Sequence, residues 1–337
     1  MIYIRKILIS LIILALIKQP QYAAQIFKYK HGIPEKGYLI KDVPYQKWKK
    51  RNYCGPAVIA MVLNYWDRGK NYEQDEIAKE IFNFKKEITY NSDLVYYPRL
   101  KNMMSYSFKG NLKILKEVLK KNIPLIVLNR PIKEINKGHY RVIIGFDDNR
   151  KQIIFHDPFI GKKYAMKYEV FNKLWYYGND INKNNWTLAV IPDESFFNFP
   201  ELKNHPLTNM NLATAYYRKG NYKKSLEEWN KAHKKASFDP YPLYSLSMVH
   251  IKIGNYNEAI EWAQKAILLD NKNAFSYDVL GLAYFKLGRL EEALKVLGKA
   301  MNLDPKSDFI KQHYLQVRNY YIELNKRKNK SKKEGQI

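Results

Sequence analysis

A repeat constrains this chain more than any other feature. Leu212, Leu246 and Leu280 are spaced by 34 residues, as are Gly220, Gly254 and Gly288, and Ala232, Ala266 and Ala300. Three kinds of marker that keep one period make residues 206–305 three copies of a single unit. In each copy the glycine sits in a turn between two apolar-periodic stretches, and the alanines let the paired helices approach closely. Such a unit cannot bury its apolar face alone, so the copies must stack, and three is about the minimum for a continuous core. Ser307 to Leu324 keeps a helical pattern and would cap the last copy.

The third copy is the clearest, with Leu280-Gly281, Tyr284, Gly288, Ala293, Ala300 and Pro305. On these residues and the helix–turn–helix period, the segment resembles the tetratricopeptide repeat. Ser225 stands where the first copy would have alanine, and Asn271 where the second would have proline. The resemblance implies an all-α solenoid whose concave groove recruits a peptide or protein partner.

The remainder reads differently. Residues 36–195 are expected to form one α+β domain, joined to the repeats by a linker at 196–205, with 306–337 as capping helix and basic tail. Helical stretches are expected from Cys54 onwards, over Tyr72–Phe84 and over Asn111–Lys121. Strands follow at 124–128, 140–146, 152–155 and 186–191, the middle two joined at the turn signal Asp147-Asp148-Asn149-Arg150. Helices first and antiparallel strands second make an α+β arrangement.

The domain's chemistry centres on Asn52-Tyr53-Cys54-Gly55-Pro56-Ala57, which holds the only cysteine in 337 residues. Proline is well placed in the first turn of a helix, so Cys54 lies at a helix N-terminus, where unpaired N–H groups favour an anion such as a thiolate. A lone cysteine is also often just a small buried hydrophobe. A nucleophile needs a base, and the base an orienter. Of the seven histidines only His139 and His156 share the domain with Cys54. His139 starts one expected strand and Asp157 ends the next, so an antiparallel pairing brings the two together. His156 points to the opposite face from Asp157 and reads as structural.

Tyr53-Cys54-Gly55-Pro56-Ala57 with the following helix, Gly138-His139-Tyr140 with Ile144-Gly145-Phe146-Asp147-Asp148, and His156-Asp157-Pro158-Phe159-Ile160-Gly161 together resemble cysteine peptidase family thirty-nine. These are the papain-like bacteriocin-processing peptidases and their stand-alone relatives, some of which carry tetratricopeptide repeats. The resemblance implies a papain-like α+β fold, with Cys54 as nucleophile, His139 as general base and acid, and Asp157 as orienter. It implies no cofactor and no metal. Family members usually hold an oxyanion-stabilising glutamine five or six residues before the cysteine. Lys49 and Trp48 stand there, and the nearest glutamine is Gln46, eight residues before Cys54. Gln46 is either that donor, brought in by a bulge, or a solvent-facing residue.

Residues 1–24 have the layout of an export signal or N-terminal anchor, with Arg5 and Lys6 before an apolar run from Ile7 to Ile17 and small residues at Ala23-Ala24. An exported, periplasmic or extracellular protein is therefore expected, with membrane association through that segment as one outcome. The net charge of +26 is spread along the chain and supports a general attraction to anionic surfaces. No nucleic-acid partner is expected. The dense run Lys326, Arg327, Lys328, Lys330, Lys332 and Lys333 reads as a solvated, disordered end. The functional expectation is an exported cysteine peptidase acting on a peptide or protein substrate. An inactive or acyl-transferring adaptor that binds peptides is the alternative.

Overall fold

The computed structural model describes residues 26–130, 138–176 and 184–334, and of 330–334 the backbone alone. The expected export segment, residues 1–24, lies outside the described residues. The chain divides into two compact units, 1–211 and 212–337.

The first unit is built on one antiparallel sheet. Its strands are β1 (Ile26–Lys28), β2 (Gly37–Leu39), β5 (Met104–Lys109), β6 (Leu125–Asn129), β7 (His139–Asp147), β8 (Gln152–Asp157), β9 (Gly161–Lys167) and β10 (Trp186–Ile191), after a separate ribbon of β3 (Phe82–Asn83) and β4 (Ile88–Thr89). The sheet order is β1-β9-β8-β7-β6-β10-β5, with β2 added along the second half of β7. Every ladder is antiparallel. The strands β6, β7, β8 and β10 are buried along their whole length. Their near-continuous Val, Ile, Leu and Phe runs reflect a sheet covered on both faces.

Helix α1 (Cys54–Trp66) packs against β7 and β10. Its residues from Ala57 to Leu63 are buried all round, so nothing amphipathic marks it, as a helix sunk in a core requires. Each of its large side chains contributes about 1.5–3 kcal/mol by leaving water. Helix α2 (Gln74–Ile81) is shorter than Tyr72–Phe84, because Phe82-Asn83 leaves it to pair with Ile88-Thr89. A helix at Asn91–Leu100, a helix at Tyr168–Trp175 and the strands β5 and β9 were not expected from the pattern. The helix Leu112–Leu119 begins at Asn111, whose side chain caps the N–H of Ile114 at 2.9 Å.

The second unit is a stack of helical hairpins, Tyr222–Lys235, Pro240–Ile253 with Tyr256–Leu269, and Ala274–Lys286 with Leu290–Leu303, after the end of helix Leu207–Arg218. Gly220, Gly254 and Gly288 sit in the hairpin turns with φ of 77°, 87° and 77°. A Cβ would meet no atom at any of them, so glycine is required there by the left-handed backbone and not by space. Ala232, Ala266 and Ala300 are fully buried between helices. Ser225 is tolerated in the first copy because its hydroxyl donates to the carbonyl of Ala213 at 2.9 Å. In the second, Asn273 takes over the start of the next helix by capping Ser276, so a proline at 271 is not needed.

The last helix corrects the sequence reading. It runs from Asp308 to Glu334, through the basic stretch expected to be disordered. Lys and Arg are good helix formers, and cations are favoured at a helix C-terminus, so the like-charged run extends the cap.

Candidate active site

Cys54 is the first residue of α1 and is buried. The approach is a turn in which Tyr53 N–H donates to the carbonyl of Lys50 at 3.1 Å, with Asn52 in the left-handed region at φ 65°. Asparagine is among the few residues that adopt this conformation readily. The thiol Sγ lies 3.9 Å from the carbonyl oxygen of Asn52. Gly55 is needed for close approach, since a Cβ there would stand 2.5 Å from Thr89 Oγ1. The β3–β4 ribbon is thereby held against the start of α1.

Antiparallel pairing of β7 with β8 brings the other two residues together. Val142 faces His156, so one step further Arg141 faces Asp157, with His139 diagonal to it. His139 Nε2 lies 2.8 Å from Asp157 Oδ1, and both side chains are fully buried. The other ring nitrogen, Nδ1, has no formed hydrogen bond and lies in reach of the Cys54 thiol. Burial alone would push the imidazole pKa down, but the Asp157 carboxylate outweighs it, and with the thiol's help raises it to about 9. In Asp157, burial favours the neutral acid, yet the charges of His139 and Arg141 hold the carboxyl well below the usual carboxylate range. Its Oδ1 also accepts the backbone N–H groups of Phe159 at 2.8 Å and Ile160 at 3.1 Å.

Arg141 is a partner the sequence reading missed. Its guanidinium is fully buried, its Nε donates to Asp157 Oδ2 at 2.7 Å, and it lies over the Phe155 ring at 5.5 Å. Each carboxylate oxygen is thus committed, Oδ2 to Arg141 and Oδ1 to His139. The signal was present: an arginine two residues after His139, in an otherwise apolar strand, needs a counter-charge.

Residues 40–183 match the model of the Peptidase_C39 like family. Residues 229–300 match that of anaphase-promoting complex, cyclosome, subunit 3. The chain carries a Peptidase_C39-like domain followed by a TPR-like region. Among solved structures, the second TPR domain of human RPAP3, in complex with an HSP70 peptide, is 21% identical, with 33% of this chain and 92% of that chain covered and a TM-score of 0.31. The Sgt2 TPR domain from Aspergillus fumigatus is 22% identical, with 38% and 83% covered and a TM-score of 0.35. No curated protein matches.

In the Peptidase_C39-like domain, Trp48 does not leave a gap where a glutamine is usual. Its ring stands edge-on to His139 at 6.1 Å and against Phe159 at 4.9 Å, and the backbone N–H of Trp48 donates to the carbonyl of Pro158 at 3.0 Å. Water is kept from that side of the imidazole. Gln46 is half-buried, and its amide oxygen accepts from Gln74 Nε2 at 3.0 Å. Gln74, buried on α2, also donates to the carbonyl of Lys47 at 2.8 Å and accepts the N–H of Lys49 at 3.0 Å. One side chain therefore holds residues 46–49 and turns the amide oxygen of Gln46 to itself. Nothing in the sequence pointed to Gln74, which lies 28 residues from Gln46.

His156 stands apart from this cluster. Its Nε2 bonds to the carbonyl of Val43 at 3.0 Å and its Nδ1 accepts the N–H of Lys163 at 3.0 Å. Burial pushes its pKa down to about 4, which keeps it neutral. It pins the lead-in segment to β8, a structural part. Among the described residues no group of acidic, histidine and cysteine side chains could hold a metal ion, and no helix is long and apolar enough to cross a membrane.

Proposed function

We propose that the protein is an exported cysteine peptidase whose Cys54, His139 and Asp157 hydrolyse peptide bonds, with its repeats recruiting a peptide or protein partner. One observation carries the reading: an imidazole held by a carboxylate on one nitrogen, with its other nitrogen in reach of the domain's only thiol at a helix start. Asp157 fixes the tautomer and stabilises the imidazolium, as an orienter does, without taking the proton itself. The Cys54 thiolate attacks the amide carbonyl and forms a C–S bond. His139 protonates the leaving amine as the C–N bond breaks. Water then gives its proton to His139, its oxygen attacks the thioester, and the thiolate leaves. In this scheme the backbone N–H of Cys54 and the Nε2–H of Gln46 stabilise the oxyanion, Gln74 orients Gln46, and Arg141 positions Asp157. One such donor is worth about 10²–10³ in rate.

Export rests on the layout of residues 1–24. The test compares peptides released by cells carrying the wild-type chain with those from cells carrying Cys54→Ala. New peptide termini present only with the wild type, together with loss of iodoacetamide labelling in the variant, are the expected result. Termini that persist in Cys54→Ala overturn the nucleophile.

A further inference from the structure

The helical unit contains a groove of about 740 Å³, and the 34-residue period writes two different chemistries along its two rims. Arg218, Lys252 and Lys286 line it at the C-terminal ends of three successive first helices. Tyr241, Phe275 and Phe309 line it at the second residue of Pro240–Ile253, Ala274–Lys286 and the last helix. Phe275 is 41% exposed and Phe309 50% exposed, large aromatic faces left to water. Lys252 and Lys286 are exposed, and among the described residues neither has an acidic partner. The one carboxylate in the groove, Asp278, is already engaged, its two oxygens 2.9 and 3.0 Å from His313 Nδ1.

Charge decides the occupant. The dense basic stretches of the chain itself, at Arg5 and Lys6 and in the run from Lys326 to Lys333, carry the wrong charge, and a second copy brings the same +26. All three are repelled by the cationic rim. What fits is a foreign segment with carboxylates on one edge and apolar side chains on another. Spacing refines this. Pro240–Ile253 and Ala274–Lys286 pack directly, so neighbouring rungs are about 8–10 Å apart. An extended polyproline-II-like chain rises about 3.1 Å per residue with three residues per turn, so every third side chain returns to the same edge after about 9 Å. From Phe275 to Lys286 is eleven residues of helix, placing the rims about 16 Å apart, room for one such chain.

We propose that this groove binds an extended acidic peptide with an acid–apolar–any triplet, its carboxylates on the Arg218, Lys252 and Lys286 rim and its apolar side chains on the Tyr241, Phe275 and Phe309 rim. This rests on reading the repeats as the recruiting part of the protein.

The test uses the full chain and three fluorescent probe peptides: four Asp-Leu-Ser triplets, the same peptide with Lys for Asp, and an isomer with its four Asp residues clustered at one end. Anisotropy titration is expected to show the Asp triplet peptide bound at least tenfold more tightly than either of the others. The double variant Lys252→Glu, Lys286→Glu, at exposed positions and checked for folding by circular dichroism, is expected to lose that binding at least tenfold and to gain the Lys peptide. Equal binding of the Asp and Lys peptides overturns the acidic preference while leaving peptide recruitment standing. Equal binding of the clustered isomer overturns the triplet spacing. Binding of none of the three overturns the groove proposal while leaving recruitment of a protein partner standing.

Discussion

Each unit of this protein holds a His–Asp pair, and their surroundings set them apart. In the Peptidase_C39-like domain His139 meets Asp157 at 2.8 Å with both side chains shut from water, a cation on the carboxylate's far oxygen and a thiol near the second ring nitrogen. In the repeats His313 meets Asp278 at 2.9 Å, but the histidine side chain is 19% exposed, with no cysteine in the unit. The first pair has two further groups arranged around it, Arg141 and Cys54. The second closes on itself, one nitrogen facing both oxygens, with the Phe309 ring 4.2 Å away. A His–Asp contact is therefore no sign of chemistry by itself. What distinguishes the first pair is what its remaining nitrogen and remaining oxygen are left to do.

The sharpest way to break that contrast is Asp157→Asn, which keeps the shape and removes the charge. Cleavage is expected to fall by about 10⁴-fold, because the wrong tautomer is favoured. A loss of less than tenfold in kcat/KM would make the two pairs equivalent. Arg141→Met leaves Asp157 buried beside the imidazole without its second cation. Urea unfolding is expected to register about 3–5 kcal/mol of lost stability, the usual cost of breaking a buried pair by removing one partner. An unchanged midpoint would remove Arg141 from the account.

Next in size is the pH dependence. His139 has its pKa raised from 6.5 to about 9, so its contribution to stability is fully present below pH 6.5 and is lost as pH rises through about 9. Asp157 is held below its ordinary 3.8, so its contribution is present above that value and is lost as pH falls further. Cleavage, which needs the imidazolium to protonate the leaving amine, should decline above about pH 9, while alkylation of Cys54 should not. Parallel decline of both rates would contradict the assignment of the proton to His139. The smallest effect belongs to the second pair. His313→Ala is expected to cost about 1–3 kcal/mol by leaving Asp278 unsatisfied, with no change in Cys54 alkylation rate. A changed rate would tie the second pair to the thiol.

The two units also differ in how much of each could be read from the chain. In the repeats the determinants are local and recur. Leucine, glycine and alanine keep one period, and each acts within its own hairpin, through a left-handed turn or a close helix contact. The rims of the groove follow the same period, yet which side chains share a rim becomes visible only once the helices stack.

In the other unit the strand runs of β7 and β8 and the residues Cys54, His139 and Asp157 stood out as a pattern, because each has a local signature: a proline in a first helical turn, a strand start, a strand end. The surrounding support did not. Arg141 depends on which residue faces Asp157 across a ladder, and a one-residue change of register would turn it to the other face. Gln74 reaches residues 46–49 from a helix more than twenty residues later. Trp48 packs on His139 from 91 positions away in the chain. Composition and spacing alone thus determined that the chain is an α+β unit followed by helical hairpins, since periodicity and turn chemistry act over a few residues. Only the tertiary structure decided which groups surround the imidazole and which charges line the groove, since register and packing join residues that local pattern cannot relate.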